Sequence, residues 1–355
     1  MTPLADLLVR RITATGPITL ADYMAECLLH PAHGYYATRD PFGASGDFTT
    51  APEISQMFGE LLGLSLAQAW LDQGAPARFT LAELGPGRGT LMADVLRATR
   101  AVPGFHAAAQ VTLVEASASL REVQRRTLGT VAVAWADTVD ALPDAPLFLL
   151  ANEFLDALPI RQFTRTPGGW AETVVGVTGG ALTLGRAAPA DLGPLRHRLA
   201  DTKPGDVVEV MPAAGAIASR LGGLIETRGG AAIFVDYGDW RSLGDTFQAL
   251  RDHRFTDPLA TPGEADLTAH VDFEAIARAA APARASRMMT QGELLSRLGI
   301  AQRSARLAQA LTGPALESHL SATRRLTDPS EMGSLFKALA LHPSRHPPPP
   351  GFDLA

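Results

Sequence analysis

Cysteine is almost missing from this chain: Cys27 is the only one in 355 residues. Disulfides within the chain are excluded, and so is any cysteine-built metal cluster. Lysine is nearly missing too. Lys203 and Lys337 stand alone, and arginine carries the rest of the basic charge. The nine histidines show no HExxH or comparable ligand spacing, so no metal site is expected. No apolar run reaches membrane-spanning length, and Met1 to Arg11 has no continuous apolar h-region. Neither membrane insertion nor an export signal is expected, which puts the protein in a bacterial cytoplasm. Basic charge is in deficit, with a net charge of −6. A general nucleic-acid binder needs a basic face, so that class is disfavoured. What remains is an ordinary globular composition, long enough for one enlarged domain or two.

The chain is organised around residues 79–90, Phe79-Thr-Leu-Ala-Glu-Leu-Gly-Pro-Gly-Arg-Gly-Thr90. Phe79 to Leu84 reads as a buried strand that runs into a turn holding Gly85, Gly87 and Gly89. A helix then begins near Thr90, with Leu91, Val95 and Leu96 on one face. Glycines let the backbone turn sharply and approach a ligand where a Cβ would clash. The first amides of the helix face whatever sits over that turn. A glycine run of this kind is also met in plain strand-to-helix turns. Glu83 and Glu115 speak against that reading. Glu83 precedes the turn and would repel a diphosphate. Glu115 ends the second strand, where an acid commonly holds the two ribose hydroxyls. Its distance from Gly89 is longer than a dinucleotide site wants. S-adenosylmethionine fits better: it has a ribose and an adenine, no phosphate, and an ammonium that welcomes a carboxylate.

Two helices are expected first, over 3–15 and 20–29, with Thr19 capping the second. Residues 30–55 read as a long polar loop, and Thr50-Ala-Pro-Glu53 has the pattern of a capping box. A helix from Glu53 to about Leu71 leads into the core. Strands then alternate with helices: 79–84, 111–115, 131–135 and 147–152. Asp137 follows the third strand, where an adenine amino group could be read. A helix-cap or turn role serves Asp137 equally well. The fourth strand ends in Asn152, Glu153 and Asp156, a polar cluster placed where ligands of open α/β sheets bind. N-capping by Asn152 or Asp156 is the bland alternative. Hairpins over 161–184, with turns at Pro167-Gly168-Gly169 and Gly179-Gly180, interrupt the alternation. The fifth strand closes on Asp236-Tyr237-Gly238. A second polar loop, 239–272, contains His270 and reads as a site loop or a flexible flap. The expected architecture is α/β: a Rossmann-like sheet with an N-terminal helical extension and an inserted β-rich arm. The boundaries read 1–75 for helices and covering loop, 76–157 and 206–345 for the core, 158–205 for the arm, and 346–355 for a loose tail.

Several blocks together resemble the MidA-like class I methyltransferases, a family that includes the mitochondrial complex I assembly arginine methyltransferase. They are Ile18-Thr-Leu-Ala-Asp-Tyr-Met24, His33-Gly-Tyr-Tyr36, Gly46-Asp-Phe-Thr-Thr-Ala-Pro-Glu-Ile54, Glu83 to Thr90, Asn152-Glu-Phe-Leu-Asp-Ala-Leu-Pro159, Asp236-Tyr-Gly238 and Asp266 to Phe273. The family pattern has Ser where Ala51 and Ala269 stand. The resemblance implies S-adenosyl-L-methionine as donor and ω-nitrogen methylation of an arginine-bearing protein, with a complex I subunit, symmetrically dimethylated, as the model acceptor. It makes Glu83, Gly85, Pro86, Gly87, Gly89, Thr90, Glu115, Asp137 and Asn152 candidates for holding the cofactor. Gly46, Asp47 and Phe48 would close over it. Glu153 is the first candidate to clamp the acceptor, followed by Asp156, Glu53 and Asp236, with His270 as a proton acceptor. A homodimer is compatible with all of this. Three rivals stay open: a methyltransferase for small molecules or other side chains, a dinucleotide oxidoreductase, and an assembly factor that binds the cofactor without turnover.

Overall fold

The structure is a computed structural model that describes residues 2–38 and 49–355. Gly46, Asp47 and Phe48 lie outside the described residues. Helices precede the main sheet, among them α1 (Pro3–Thr15), α2 (Leu20–Leu29), α3 (Ala51–Ile54) and α4 (Gln56–Asp72). The expected cap at Thr19 forms: its hydroxyl accepts from the Asp22 N–H at 3.0 Å, and Asp22 accepts in return from the Thr19 N–H. The expected capping box at Thr50 does not form; Thr50 makes no side-chain cap bond. The Ala51 N–H donates instead to Glu153, and Glu53 turns to Thr90.

The strands β1 (Phe79–Leu84), β2 (Ala109–Val114), β3 (Val133–Ala136), β4 (Leu147–Asn152) and β5 (Gly230–Asp239) are parallel; β6 (Phe336–His342) runs antiparallel to β5. Their order is β6-β5-β4-β1-β2-β3. β1 and β4 are buried along their whole lengths, as near-continuous apolar runs covered on both faces should be. The strand order reverses where β1 meets β4, so a crevice opens at their carboxyl ends. There Leu84 sits in register with Val114 on one side and Ala151 on the other.

Further helices cover the sheet, among them α5 (Thr90–Thr99), α6 (Ala118–Leu128), α7 (Pro212–Arg228) and α8 (Phe273–Ala279). α4 lies close on α5 because Gly59 and Gly63 leave room. A Cβ on Gly59 would stand 2.7 Å from Asp94 Cβ, and one on Gly63 2.9 Å from Val95 Cα. The contact below α7 is tighter still. A Cβ on Gly222 would lie 1.9 Å from the Ala280 carbonyl oxygen, whereas Gly223 faces open space. Gly222→Ala should therefore cost about 2–3 kcal/mol in a denaturant melt. Gly223→Ala should be neutral or slightly stabilising, because it only narrows the unfolded ensemble.

The arm forms its own antiparallel sheet from Arg161–Thr166, Gly169–Thr178, Ala181–Arg186 and Val207–Val210. The last of these pairs with Arg161–Thr166, so the arm's sheet extends past residue 205. Ile18 and Thr19 add to its edge. α1 and α2 are buried against the arm and the 249–269 segment, in a cluster that joins Leu8, Tyr23, Val175 and Leu267. The second polar loop is not a flap throughout. Gln248–Arg251, Arg254–Thr256 and Asp266–Thr268 make a small sheet. Nor is the tail loose: Phe352 is buried, the Ser65 hydroxyl donates to the Pro350 carbonyl at 2.7 Å, and Arg297 pairs with Asp353. Prolines keep their carbonyl acceptors, so a proline-rich end can still be fastened. Among the described residues no helix is long and apolar enough to cross a membrane.

Candidate active site

At the carboxyl ends of β1 and β4 lies a narrow pocket open to solvent. Its wall includes Glu83, Gly85, Pro86, Gly87, Thr90 and Asn152 from the cofactor candidates, together with Glu53 and Glu153. The glycine turn needs its glycines. Gly85, Gly87 and Gly89 have φ of 60°, 49° and 81°, in the left-handed region. A Cβ on Gly85 would also stand 2.7 Å from the Phe154 ring. Gly89 then caps α5.

Glu83 is 3% exposed and its Oε2 has no hydrogen-bond partner. Burial pushes its carboxyl up to about 8, with Asp94 and Glu115 adding to the effect against a hydrogen bond from the Met92 N–H. Asn152 Oδ1 is likewise buried and unpartnered. Glu115 and Asp137 stand farther along the same rim and do not line the pocket. Glu115 Oε1 accepts from the Ser117 N–H at 2.8 Å, and its Oε2 from Gln124 at 3.2 Å. Burial raises its carboxyl as well. Asp137 is exposed and pairs with Arg121 at 2.5 Å.

The acids at the end of β4 differ from one another. Glu153 is half-buried and holds φ at +50°, a strained conformation for a residue with a Cβ. Its Oε1 accepts from the Ala51 N–H at 3.1 Å and from the Asn152 amide at 3.0 Å. Burial, then the charge of Asp156, push its carboxyl up to about 7. Asp156 is buried, with Oδ1 unpartnered, and burial lifts it to about 6. Among the described residues neither has a bonded cation; the exposed Arg325 acts on Glu153 only through its field. Glu60 makes the contrast. As little exposed as Asp156, it accepts from Arg97 and Arg303, and those bonds pull its carboxyl below the usual range despite burial.

Asp236 is placed differently from the clamp the sequence suggested. Its Oδ2 accepts from the N–H groups of Phe154, Leu155 and Asp156, and Oδ1 from that of Tyr237. It ties down the turn that carries Glu153 instead of facing the pocket. Glu53 does line the pocket, and its Oε1 accepts from the Thr90 hydroxyl at 2.5 Å. His270 lies outside the pocket wall, edge-on to the Tyr237 ring at 5.4 Å. Burial, then Lys337, lower its basicity. Sequence reasoning missed Gln124, which no motif marks. It also gave no role to Tyr36, which donates to Asp266 at 2.8 Å, or to Tyr237, whose hydroxyl lies beside Asp156 and Thr268.

A glycine cradle, a buried carboxylate with one free oxygen on one side and an acid at the next strand end suit a sulfonium amino acid attached to a ribose. Comparison with known proteins agrees. Residues 61–290 match a family model described as "putative S-adenosyl-L-methionine-dependent methyltransferase". The chain belongs to this family. It is 37% identical over 370 residues to the mitochondrial protein arginine methyltransferase NDUFAF7 of Bos taurus, covering 97% of this chain and 84% of that one. The Drosophila melanogaster homolog is 37% identical over 387 residues, covering 96% and 85%. A Burkholderia thailandensis protein crystallised with S-adenosyl-homocysteine superimposes with a TM-score of 0.83 at 33% identity, over 99% of this chain and 93% of that one. The MidA-like resemblance and the class I methyltransferase sheet therefore both hold, with S-adenosyl-L-methionine as the family's cofactor.

Proposed function

We propose that the chain methylates a protein arginine, with Glu83 and the glycine turn holding the donor and Glu153 and Asp156 holding the acceptor. The observation that carries this reading is two acidic positions on either side of one crevice, buried Glu83 and half-buried Glu153 backed by buried Asp156, with no bonded cation among the described residues. A buried charge is stable only when it is paired. Glu83 would receive the ammonium of the donor, Glu115 the ribose hydroxyls and Asp137 the adenine edge. When bound, S-adenosyl-L-methionine supplies a methyl sulfonium that needs no further activation.

The acceptor does need preparing. A guanidinium is protonated and planar, and a carboxylate can take its fork through two parallel bonds. Glu153 would do this with Asp156 behind it, fixing the nitrogen that reacts. A carboxyl near 7 can also take the proton the guanidinium loses. The strained turn that aims Glu153 is held by Asp236. The arm would serve as a platform for the acceptor protein. A respiratory complex I-type subunit, dimethylated symmetrically, is the acceptor the resemblance favours, and the names of the mitochondrial relatives support arginine as its residue.

The test is transfer of labelled methyl from S-adenosyl-L-methionine into a lysate lacking this gene, followed by acid hydrolysis. Symmetric dimethylarginine in one protein band is the expected result. Label in another amino acid would overturn the arginine reading. No label, with S-adenosylhomocysteine still bound tightly, would overturn the protein-acceptor reading.

A further inference from the structure

The rim acid Glu115 is useful to a ribose only if its carboxylate is held still. A buried side chain next to it does that, and no part of the reading above uses it. Gln124 lies on α6 and is fully buried. Its Nε2 donates to the Gly87 carbonyl at 2.8 Å and to Glu115 Oε2 at 3.2 Å. Its Oε1 accepts from the Trp135 indole N–H at 2.8 Å. Both amide hydrogens and the carbonyl are thus engaged. Gly89 lies beside it: a Cβ there would rest in ordinary contact with Gln124 at 3.5 Å.

One helical turn earlier, Arg121 donates to the Glu115 carbonyl and to Asp137 Oδ1. Residues three apart share a helix face. That face of α6 therefore fastens the glycine turn, the end of β2 and the segment after β3 to one another. We propose that Gln124 is a positioning residue for the sugar end of the cofactor, a buried amide that locks Glu115 to the glycine turn. The proposal rests on the methyl-donor reading above. With one oxygen on the Ser117 N–H and the other on Gln124, the carboxylate plane is set. Each oxygen keeps a lone pair, enough to accept two adjacent hydroxyls. Gln124→Leu would leave the Gly87 carbonyl and Glu115 Oε2 without their donor.

The indole of Trp135 gives the arrangement a signal of its own. It is bonded to the latch, and the Arg125 guanidinium lies 4.6 Å above its ring. Tightening the latch around a bound sugar should shift its emission.

The experiment titrates the full chain with S-adenosylhomocysteine, by calorimetry and by tryptophan emission. Gln124→Leu should weaken binding about tenfold, roughly one buried hydrogen-bond pair. It should raise the KM for the donor and leave kcat and the acceptor KM near wild type. In a Glu115→Ala background the same change should cost less than about threefold, because the two act together. The emission change should vanish in Trp135→Phe. Unchanged affinity in Gln124→Leu, or losses that multiply in the double variant, would overturn the proposal. So would a parallel rise in both KM values, which marks general loosening. Should Gln124→Leu fail to fold, Trp135→Phe alone carries the test: it frees only Oε1, and affinity should fall about threefold, whereas no loss overturns the latch. A wild-type chain that binds no S-adenosylhomocysteine would sink the donor reading itself, a result distinct from any of these.

Discussion

Glu153→Gln is expected to lower kcat by about a hundredfold or more while the affinity for S-adenosylhomocysteine stays within about twofold. Glutamine keeps the shape of the side chain and an acceptor for the Ala51 N–H, so α3 should stay where it is. The Asn152 amide can remain in contact by the same oxygen. What disappears is the negative charge that would grip a guanidinium, and the site that could accept its proton. The backbone supports this view. Glu153 holds φ at +50° in a turn fixed by three N–H bonds to Asp236, and strain of that kind collects where geometry matters for function. In the wild type, burial holds the carboxyl near 7. The ionised form is the one that grips, so kcat/KM should rise with pH through about 7 and then level. The variant should lose that limb of the profile. Calorimetry for the cofactor and single-turnover methyl transfer measure the two halves. Equal loss in both would mean that Glu153 only supports the fold.

How much of this was legible in the sequence depends on whether a feature is local. β1, the glycine turn and Glu83 are contiguous, and short-range sterics dictate them. The hairpin turns at 167–169 and 179–180 carry their own glycines. Asn152 and Glu153 could be placed because a parallel strand fixes which end faces ligand. The direction of a lone pair could not. Asp236 looks like Glu153 in sequence, an acid closing a strand, yet backbone amides from a segment about eighty residues earlier occupy it. Glu53 matched a capping box and went to Thr90 instead, because the turn above it offered a hydroxyl. Gln124 is an ordinary helix residue until β2, β3 and the glycine turn converge on it. The tail reads as loose in the sequence because composition speaks for proline's backbone stiffness and says nothing of the burial of Phe352 or the bond to the Pro350 carbonyl.

Glu83 gives the second large effect, and its sign follows from the empty half of its carboxylate. Its folded pKa, about 8, lies above the ordinary value of 4.5. Between those values the folded chain keeps a proton that the unfolded chain has released. Its contribution to stability therefore falls as pH climbs from about 4.5 to about 8 and levels above that. An ammonium placed against Oε2 removes the penalty, because the ionised carboxylate gains a partner. Binding of S-adenosylhomocysteine near pH 6.5 should then expel close to one proton, read from calorimetry in buffers of different ionisation heat. Affinity should strengthen several-fold per pH unit from pH 6 to 7.5. Glu83→Gln should abolish the proton release and weaken binding about thirtyfold or more, the scale for losing one member of a buried charge pair. Without ligand the same variant should gain stability over wild type at pH 9, where the native carboxylate is ionised and alone. A variant that binds as tightly as wild type, or a wild type whose affinity ignores pH, would remove the ammonium from Glu83 and leave that buried acid without a function.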